Sequence, residues 1–328
     1  MTIAKRIIGA VMFALMMPAT AFAQSYELNI GHVLNEKSSY QAGMTYFADT
    51  MSARTNGAFK TNIFPAAGLG GELRLVQGAM TGTVDAFIIG QPSLESTIPQ
   101  FKILSLPFLF ESEEQAVKLL RGSFGQKFLD LLPEYNLVGL GWAGVFSRGL
   151  PANKAVASLD DMSGMKVRVM QSPGYVETFA ALGSQPTPIA FGELFMSLQT
   201  GVVDATDLSP DLVISGQFMD AISHYSKMRI HQLPSIFIIS KSKFDSFPED
   251  IQKLVLEVGS EATMVAIEEQ RRAMADGLEA MAKKGIAITE PDQSQFEQAA
   301  KKAWPSILKD VPQADEFLAA LEAAKKAE

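Results

Sequence analysis

Hydrophobic and polar positions alternate from Tyr26 to Val33, the pattern of a strand with one face buried. Just beyond it, Ser38 or Ser39 can cap a helix whose apolar positions are Ala42, Tyr46, Phe47 and Met51. Gly57 ends that helix, and Ala58 to Phe64 form a second strand stopped by Pro65. Gly70 and Gly71 lead into a helix from Glu72 to about Thr81; Gly82 closes it, and Val84 to Ile89 read as a buried strand. Strands alternating with helices at this spacing predict an α/β arrangement with parallel strands covered on both faces.

Part of this pattern recurs. Thr81 to Ala86 match Thr200 to Ala205 at all positions but one, and each copy follows a helix that opens with Glu-Leu, at Glu72 and at Glu193. Glycine just past a helix end is favoured because it enters the left-handed conformation cheaply. Ordinary helix-glycine-strand joints would explain the glycines alone. The shared Glu-Leu start and the Asp-Ala that follows the valine favour two related lobes, with a cleft for a small ligand between them.

A third block opens near Ser246, where Ser246 and Glu249 have the spacing of a capping box. Ile251, Leu254, Val255, Val258, Ala262, Val265 and Ala266 follow at helical spacing, and the pattern runs through Gly259 and Gly277 to about Lys284. At 1.5 Å per residue this is roughly 50 Å of helix, enough to cross both lobes. A short strand at Ile286 to Thr289 and helices around Phe296 to Leu308 and Ala314 to Lys326 complete the chain.

The first residues read differently. Lys5 and Arg6 precede an apolar run from Ile7 to Met17, Pro18 breaks it, and Ala21-Phe22-Ala23 supplies a small-x-small site before Gln24. This is the layout of a secretory signal peptide, 1–23, and the run is too short to span about 30 Å of hydrocarbon. Cleavage between Ala23 and Gln24 and a periplasmic location are expected. The 328-residue chain has 47% hydrophobic residues and a formal net charge of −8. The apolar share excludes a disordered chain, and the acidity argues against nucleic acid as a partner.

The chain has no cysteine, which excludes disulfides, thiolate metal sites and cysteine nucleophiles. Its three histidines, His32, His224 and His231, stand in no metal-binding frame. Gly68 to Gly71 begin like a dinucleotide loop, but Leu73 stands where the last glycine belongs, and neither a phosphate-binding P-loop nor a nucleophile elbow occurs. No cofactor and no metal are expected. What remains is Arg168, in apolar company on the strand Met165 to Met170. A planar guanidinium suits a carboxylate held by two parallel hydrogen bonds, while a surface acid beside an edge strand would serve it as well.

Gly164-Met165-Lys166-Val167-Arg168-Val169 resembles the G-x-K-x-R signature of the periplasmic solute-binding proteins of TRAP (tripartite ATP-independent periplasmic) transporters, the DctP type. Ala181 to Leu194, running on through Ser197 to Ala205, resembles the family's Leu-Gly-Ala-x-Pro-x-Pro loop and the helix after it. Phe64-Pro65, Leu69-Gly70, Leu106-Pro107-Phe108 and His231 also match, so the likeness covers nearly all of the chain beyond the leader.

The resemblance implies an α/β, two-lobed periplasmic binding protein fold with hinge strands and a long helix spanning both lobes. The expected division is 24–145 with 234–273 for the first lobe, and 146–233 with 274–328 for the second. The resemblance also implies a monomer, not an enzyme, that closes on a small organic acid and delivers it to membrane permease subunits. A periplasmic enzyme on small acids and a ligand-presenting sensory module are the alternatives.

The same likeness assigns Arg168 to the ligand carboxylate, Arg148 to its support and Phe191 to packing against the ligand. Glu72 would reach ligand hydroxyls or water, and Gln91 would face the cleft from a loop of the first lobe. Trp142 and Phe146 would line the approach to Arg148, and His32 joins the candidate contacts. Many members carry Gln-Glu-Asn after Val-Asp-Gly, the asparagine binding the ligand; here Ala205-Thr206-Asp207-Leu208 stands there. Leu208 thus replaces a donor, and Asp207 could orient Arg168 or accept from a ligand hydroxyl or amine. Glu72, Gln91 and Asp207 together favour a hydroxy or sugar acid over a C4-dicarboxylate.

Overall fold

A computed structural model of the chain describes residues 25–327. The expected leader, 1–23, lies outside the described residues. β1 (Tyr26–Gly31) pairs in parallel with β2 (Phe59–Phe64) on one side and β3 (Ala86–Gly90) on the other. The intervening helices, α1 (Ser39–Arg54) and α2 (Glu72–Met80), supply the crossovers that parallel neighbours require. Ser38 caps α1 by accepting the Gln41 N–H. After α3 (Glu113–Arg121) and α4 (Ser123–Leu129), β4 (Leu137–Ser147) carries the chain out of this lobe.

The second lobe holds β5 (Leu150–Ala152), β6 (Lys166–Val169), α5 (Pro173–Ala181), β7 (Gln185–Pro188), α6 (Leu194–Gln199), β8 (Ala205–Thr206), α7 (Pro210–Ser215) and β9 (His224–Ser226). β10 (Gln232–Ser240) then returns to the first sheet, antiparallel to both β3 and β4. The first sheet has the order β2-β1-β3-β10-β4, and β4 and β10 are the paired strands at which the chain crosses between lobes.

The sequence repeat has a structural counterpart. The parallel order β2-β1-β3 recurs as β7-β6-β8 in the second sheet. Gly82 and Gly201 both sit in the left-handed region, at φ 76° and 72°, where a side chain would be strained. Asp85 accepts the Asn29 N–H at 2.9 Å, and Asp204 accepts the Lys166 N–H at 2.9 Å. In each lobe, then, the aspartate after the glycine turn satisfies an N–H of the neighbouring central strand.

α8 (Lys241–Asp245) precedes the 35-residue α9 (Glu249–Lys283). The expected capping box does not form, because Ser246 turns back to donate to the Lys243 carbonyl and Pro248 occupies the cap without a side-chain bond. α9 packs on α1 and β4 with one part and on α7 with another, so it bridges both lobes. It passes unbroken through Gly277, whose missing side chain lets α7 sit close: a Cβ there would lie 2.7 Å from the Pro210 carbonyl. Gln270 of α9 receives the Val145 N–H and donates to the Val145 carbonyl, fixing the helix to the crossing strand.

β11 (Ala287–Thr289) pairs with β9, and α10 (Gln293–Ala300) packs on α5, both in the second lobe. The chain then recrosses, which corrects the expectation that all of 274–328 belongs there. Trp304, opening α11 (Trp304–Leu308), donates to the Pro107 carbonyl at 3.0 Å. α12 (Ala314–Lys326) sets Phe317 against Phe128 with ring centres 4.7 Å apart. The apolar stripe of α12 finds its unfilled partner surface on α3 and α4, in the first lobe.

Candidate functional site

Between the lobes lies a small cavity of about 40 Å³ at the carboxyl ends of the central parallel strands, the usual place for a ligand in α/β sheets. The first lobe supplies Val33 and Leu34 after β1, Tyr40 of α1, Glu72 at the start of α2 and Gly90 at the end of β3. Phe146 and Leu233 come from the crossing strands, with Arg148 one residue beyond β4. The second lobe adds Arg168 of β6, Met170 beyond it, Phe191, Leu208 and Leu212. The lobes touch beside it, where the Asn35 amide donates to the Ser215 carbonyl.

β6 lies between two strands, so alternate side chains along it are enclosed, and Arg168 is only 2% exposed. Its Nε donates to the Ile189 carbonyl at 2.9 Å, while Nη1 is buried without any partner. Burial first, and then the charge of Arg148, push the Arg168 pKa down to about 10. The charges of Asp207 and Glu72 offset this only in part, and the buried guanidinium lacks a hydrogen-bonded anion.

Arg148 is in the opposite condition. Its Nε lies 3.4 Å from Asp207 Oδ2 and its Nη2 donates to the Asp207 carbonyl. His231 stands on the other side of the same carboxylate, Nδ1 at 3.7 Å, and stacks on Tyr175 with ring centres 3.9 Å apart. Burial opposes ionisation of Asp207, but Arg148 and His231 outweigh it and its pKa is lowered. Asp207 therefore orients Arg148, not Arg168 as expected, and it lies outside the cavity lining.

Glu72 accepts the Gly90 N–H at 3.0 Å and the Ser93 hydroxyl at 2.5 Å, and burial raises its pKa. Phe191 packs edge-on against Phe218, ring centres 5.7 Å apart, and Phe146 meets Tyr40 in the same way at 5.7 Å.

Three further candidates are placed elsewhere. Gln91 donates its amide to Ser105, away from the cavity. Trp142 donates to the Gly125 carbonyl and packs with Phe101 and Phe128 in the core of the first lobe. His32 bonds Gln41 and supports Tyr40 edge-on. Tyr40, Met170, Leu212 and Leu233 line the cavity and were not singled out from sequence. Their residue types and spacings are those of ordinary core positions.

Behind the cavity, Glu95 of the first lobe is 1% exposed and accepts the Gly174 N–H at the start of α5 at 3.0 Å, together with the Ser105 hydroxyl. Burial raises its pKa from 4.5 to about 7 despite these bonds. The folded protein therefore holds a proton here that the unfolded chain has released, and stability falls as pH rises from about 4.5 to about 7. Glu95→Gln keeps the acceptor and removes this slope. Urea midpoints should show it matching the native protein near pH 4 and exceeding it at pH 8. A native advantage at pH 8 would mean that the carboxylate is ionised throughout.

Residues 30–310 match the family DctP, described as bacterial extracellular solute-binding protein, family 7. The chain belongs to that family. A solute-binding protein of Roseobacter denitrificans is 31% identical over 294 residues, which cover 88% of this chain and 89% of that one. The sugar acid binding protein DctPAm of Advenella mimigardefordensis, solved in complex with galactonate, is similar at a TM-score of 0.88 and 26% identity, covering 93% of this chain and 99% of that one. A TRAP periplasmic solute-binding protein of a Polaromonas species, bound to D-erythronate, reaches 0.87 at 28% identity over 91% of this chain and 99% of its own. These findings bear out the resemblance to TRAP solute-binding proteins and the two-lobed fold it implied.

Proposed function

We propose that this DctP-family protein captures a small organic acid in the inter-lobe cavity by pairing its carboxylate with Arg168. The unpartnered, buried Nη1 of Arg168, at the lining of the space between two lobes, carries the reading. Charge-assisted hydrogen bonds to that group contribute roughly 1.5–3 kcal/mol each. Closure removes water and strengthens them, so the acid favours the closed form to the extent that it binds that form better. Glu72, Phe191, Phe146 and Leu208 complete the contacts, and Arg148, fixed by Asp207, supports Arg168 from beside it.

The protein acts by binding alone, not as an enzyme. It is exported through cleavage between Ala23 and Gln24, works as a monomer in the periplasm, and passes the acid to the membrane permease subunits of a TRAP transporter. Protein purified from cells, denatured and extracted should release an organic acid detectable by mass spectrometry. The refolded protein should regain thermal stability with that acid, by about 2.7 kcal/mol at a hundredfold excess over Kd. Chemical conversion of the acid by the protein would refute a pure binding role, and stabilisation by no acid at all would refute the site.

A further inference from the structure

Resting on that reading, we infer that the solute is a monocarboxylate with a hydroxyl beside it and a compact apolar body, such as a branched-chain 2-hydroxy acid. The charges in the cavity admit one carboxylate only. Arg148 is already neutralised by Asp207, each 3% exposed at the side chain, and its Nη2 is taken by the Asp207 carbonyl. Of the two arginines, Arg168 is the one with a buried nitrogen that lacks a hydrogen-bond partner, and Glu72 brings a carboxylate to the same space. A second ligand carboxylate would be buried against hydrocarbon with no cation left for it.

The polar partners are equally few. Phe146, Met170, Phe191, Leu208, Leu212 and Leu233 form the wall opposite these groups. Leu208 offers not even its backbone, because its N–H and carbonyl are exchanged with Gly149 at 3.0 and 3.1 Å. Tyr40 is the one neutral polar side chain on the lining, and the Gly90 N–H is given to Glu72. Each Glu72 oxygen accepts one bond and keeps a second lone pair, so Glu72 can accept from at most two ligand hydroxyls beside the bound carboxylate. Every further hydroxyl of a polyol chain would lose its water against the leucines and find no partner, at a cost of roughly tenfold in affinity each. The next polar side chains, Ser93, Gln171 and Glu193, line adjoining space of about 160 Å³, and of these Gln171 and Glu193 are exposed to solvent.

Calorimetric titration of the refolded, ligand-free protein tests this. The probes are 2-hydroxy-3-methylbutanoate, 2-hydroxy-4-methylpentanoate, 3-methylbutanoate, succinate, malate, gluconate, galactonate and glucuronate. The branched hydroxy acids should bind at least about tenfold more tightly than the dicarboxylates and the sugar acids, and 3-methylbutanoate about tenfold more weakly than its hydroxylated counterpart. Equal or tighter binding of a sugar acid or a dicarboxylate would overturn the inference while leaving Arg168 as the carboxylate anchor. Equal binding of 3-methylbutanoate would remove the hydroxyl from it. Binding of none of these acids would overturn the inference and the proposed function together.

Discussion

Arg168→Ala is expected to abolish ligand-induced stabilisation while leaving the empty protein folded. With the guanidinium gone, the bound carboxylate would sit among Met170, Phe191 and Leu208 without its cation. Removing one partner of a buried charged pair costs about 3–5 kcal/mol, a loss of roughly 10² to 10⁴ in affinity. The ligand-free protein should behave differently. There Arg168 is a buried cation with an unsatisfied Nη1, and burial holds its pKa at about 10. Its removal relieves that cost, so the melting temperature without ligand should be unchanged or raised. Arg168→Lys should recover little, because lysine lacks both the fork and the Nε that donates to the Ile189 carbonyl. Undiminished binding of an acid by Arg168→Ala would remove this residue from the site.

Arg168 could be singled out in the chain because an arginine between valines on a short strand is costly unless something pairs with it. The repeated glycine turns were legible for a similar reason: local backbone chemistry at Gly82 and Gly201 depends on no distant partner. Side chains whose role is set by tertiary contacts were not legible. Ser246 has the spacing of a cap, yet the short α8 before it takes its hydroxyl first. α12 is amphipathic in any context, and only the finished surface of α3 and α4 decides which lobe it joins. Asp207 follows Arg168 across β8 and β6, but side chains at those places diverge, and its carboxylate reaches the arginine that leaves β4. Tyr40, Leu212 and Leu233 become ligand-facing only because two lobes close over them.

Asp207→Ala should be the most damaging single change to stability among the residues around the cavity. It leaves Arg148, 3% exposed, without its bonded counter-charge and with only the more distant Asp211 and Glu72, and it takes the acid from beside His231. A loss of about 3–5 kcal/mol follows, lowering the urea midpoint by roughly 1 M. The effect has a definite pH window. The folded-state pKa of Asp207 lies below its ordinary 3.8, so the stability it contributes is complete above about pH 4 and is lost as pH falls through the lower, folded value. The gap between native and variant protein should therefore be constant from pH 5 to 8 and shrink only on the acid side. Exchanging both partners, Arg148→Met with Asp207→Leu, should restore most of the stability, since a buried pair replaced by apolar side chains is often neutral. The two single changes and the double change then measure the coupling directly. Asp207→Asn should weaken the hold on Arg148 without removing an acceptor. It frees a second cation beside Arg168, so affinity for succinate relative to a monocarboxylate should rise. Unaltered stability of Asp207→Ala at pH 7 would show that Arg148 finds another partner. An unaltered succinate preference in Asp207→Asn would show that Arg148 does not face the bound acid.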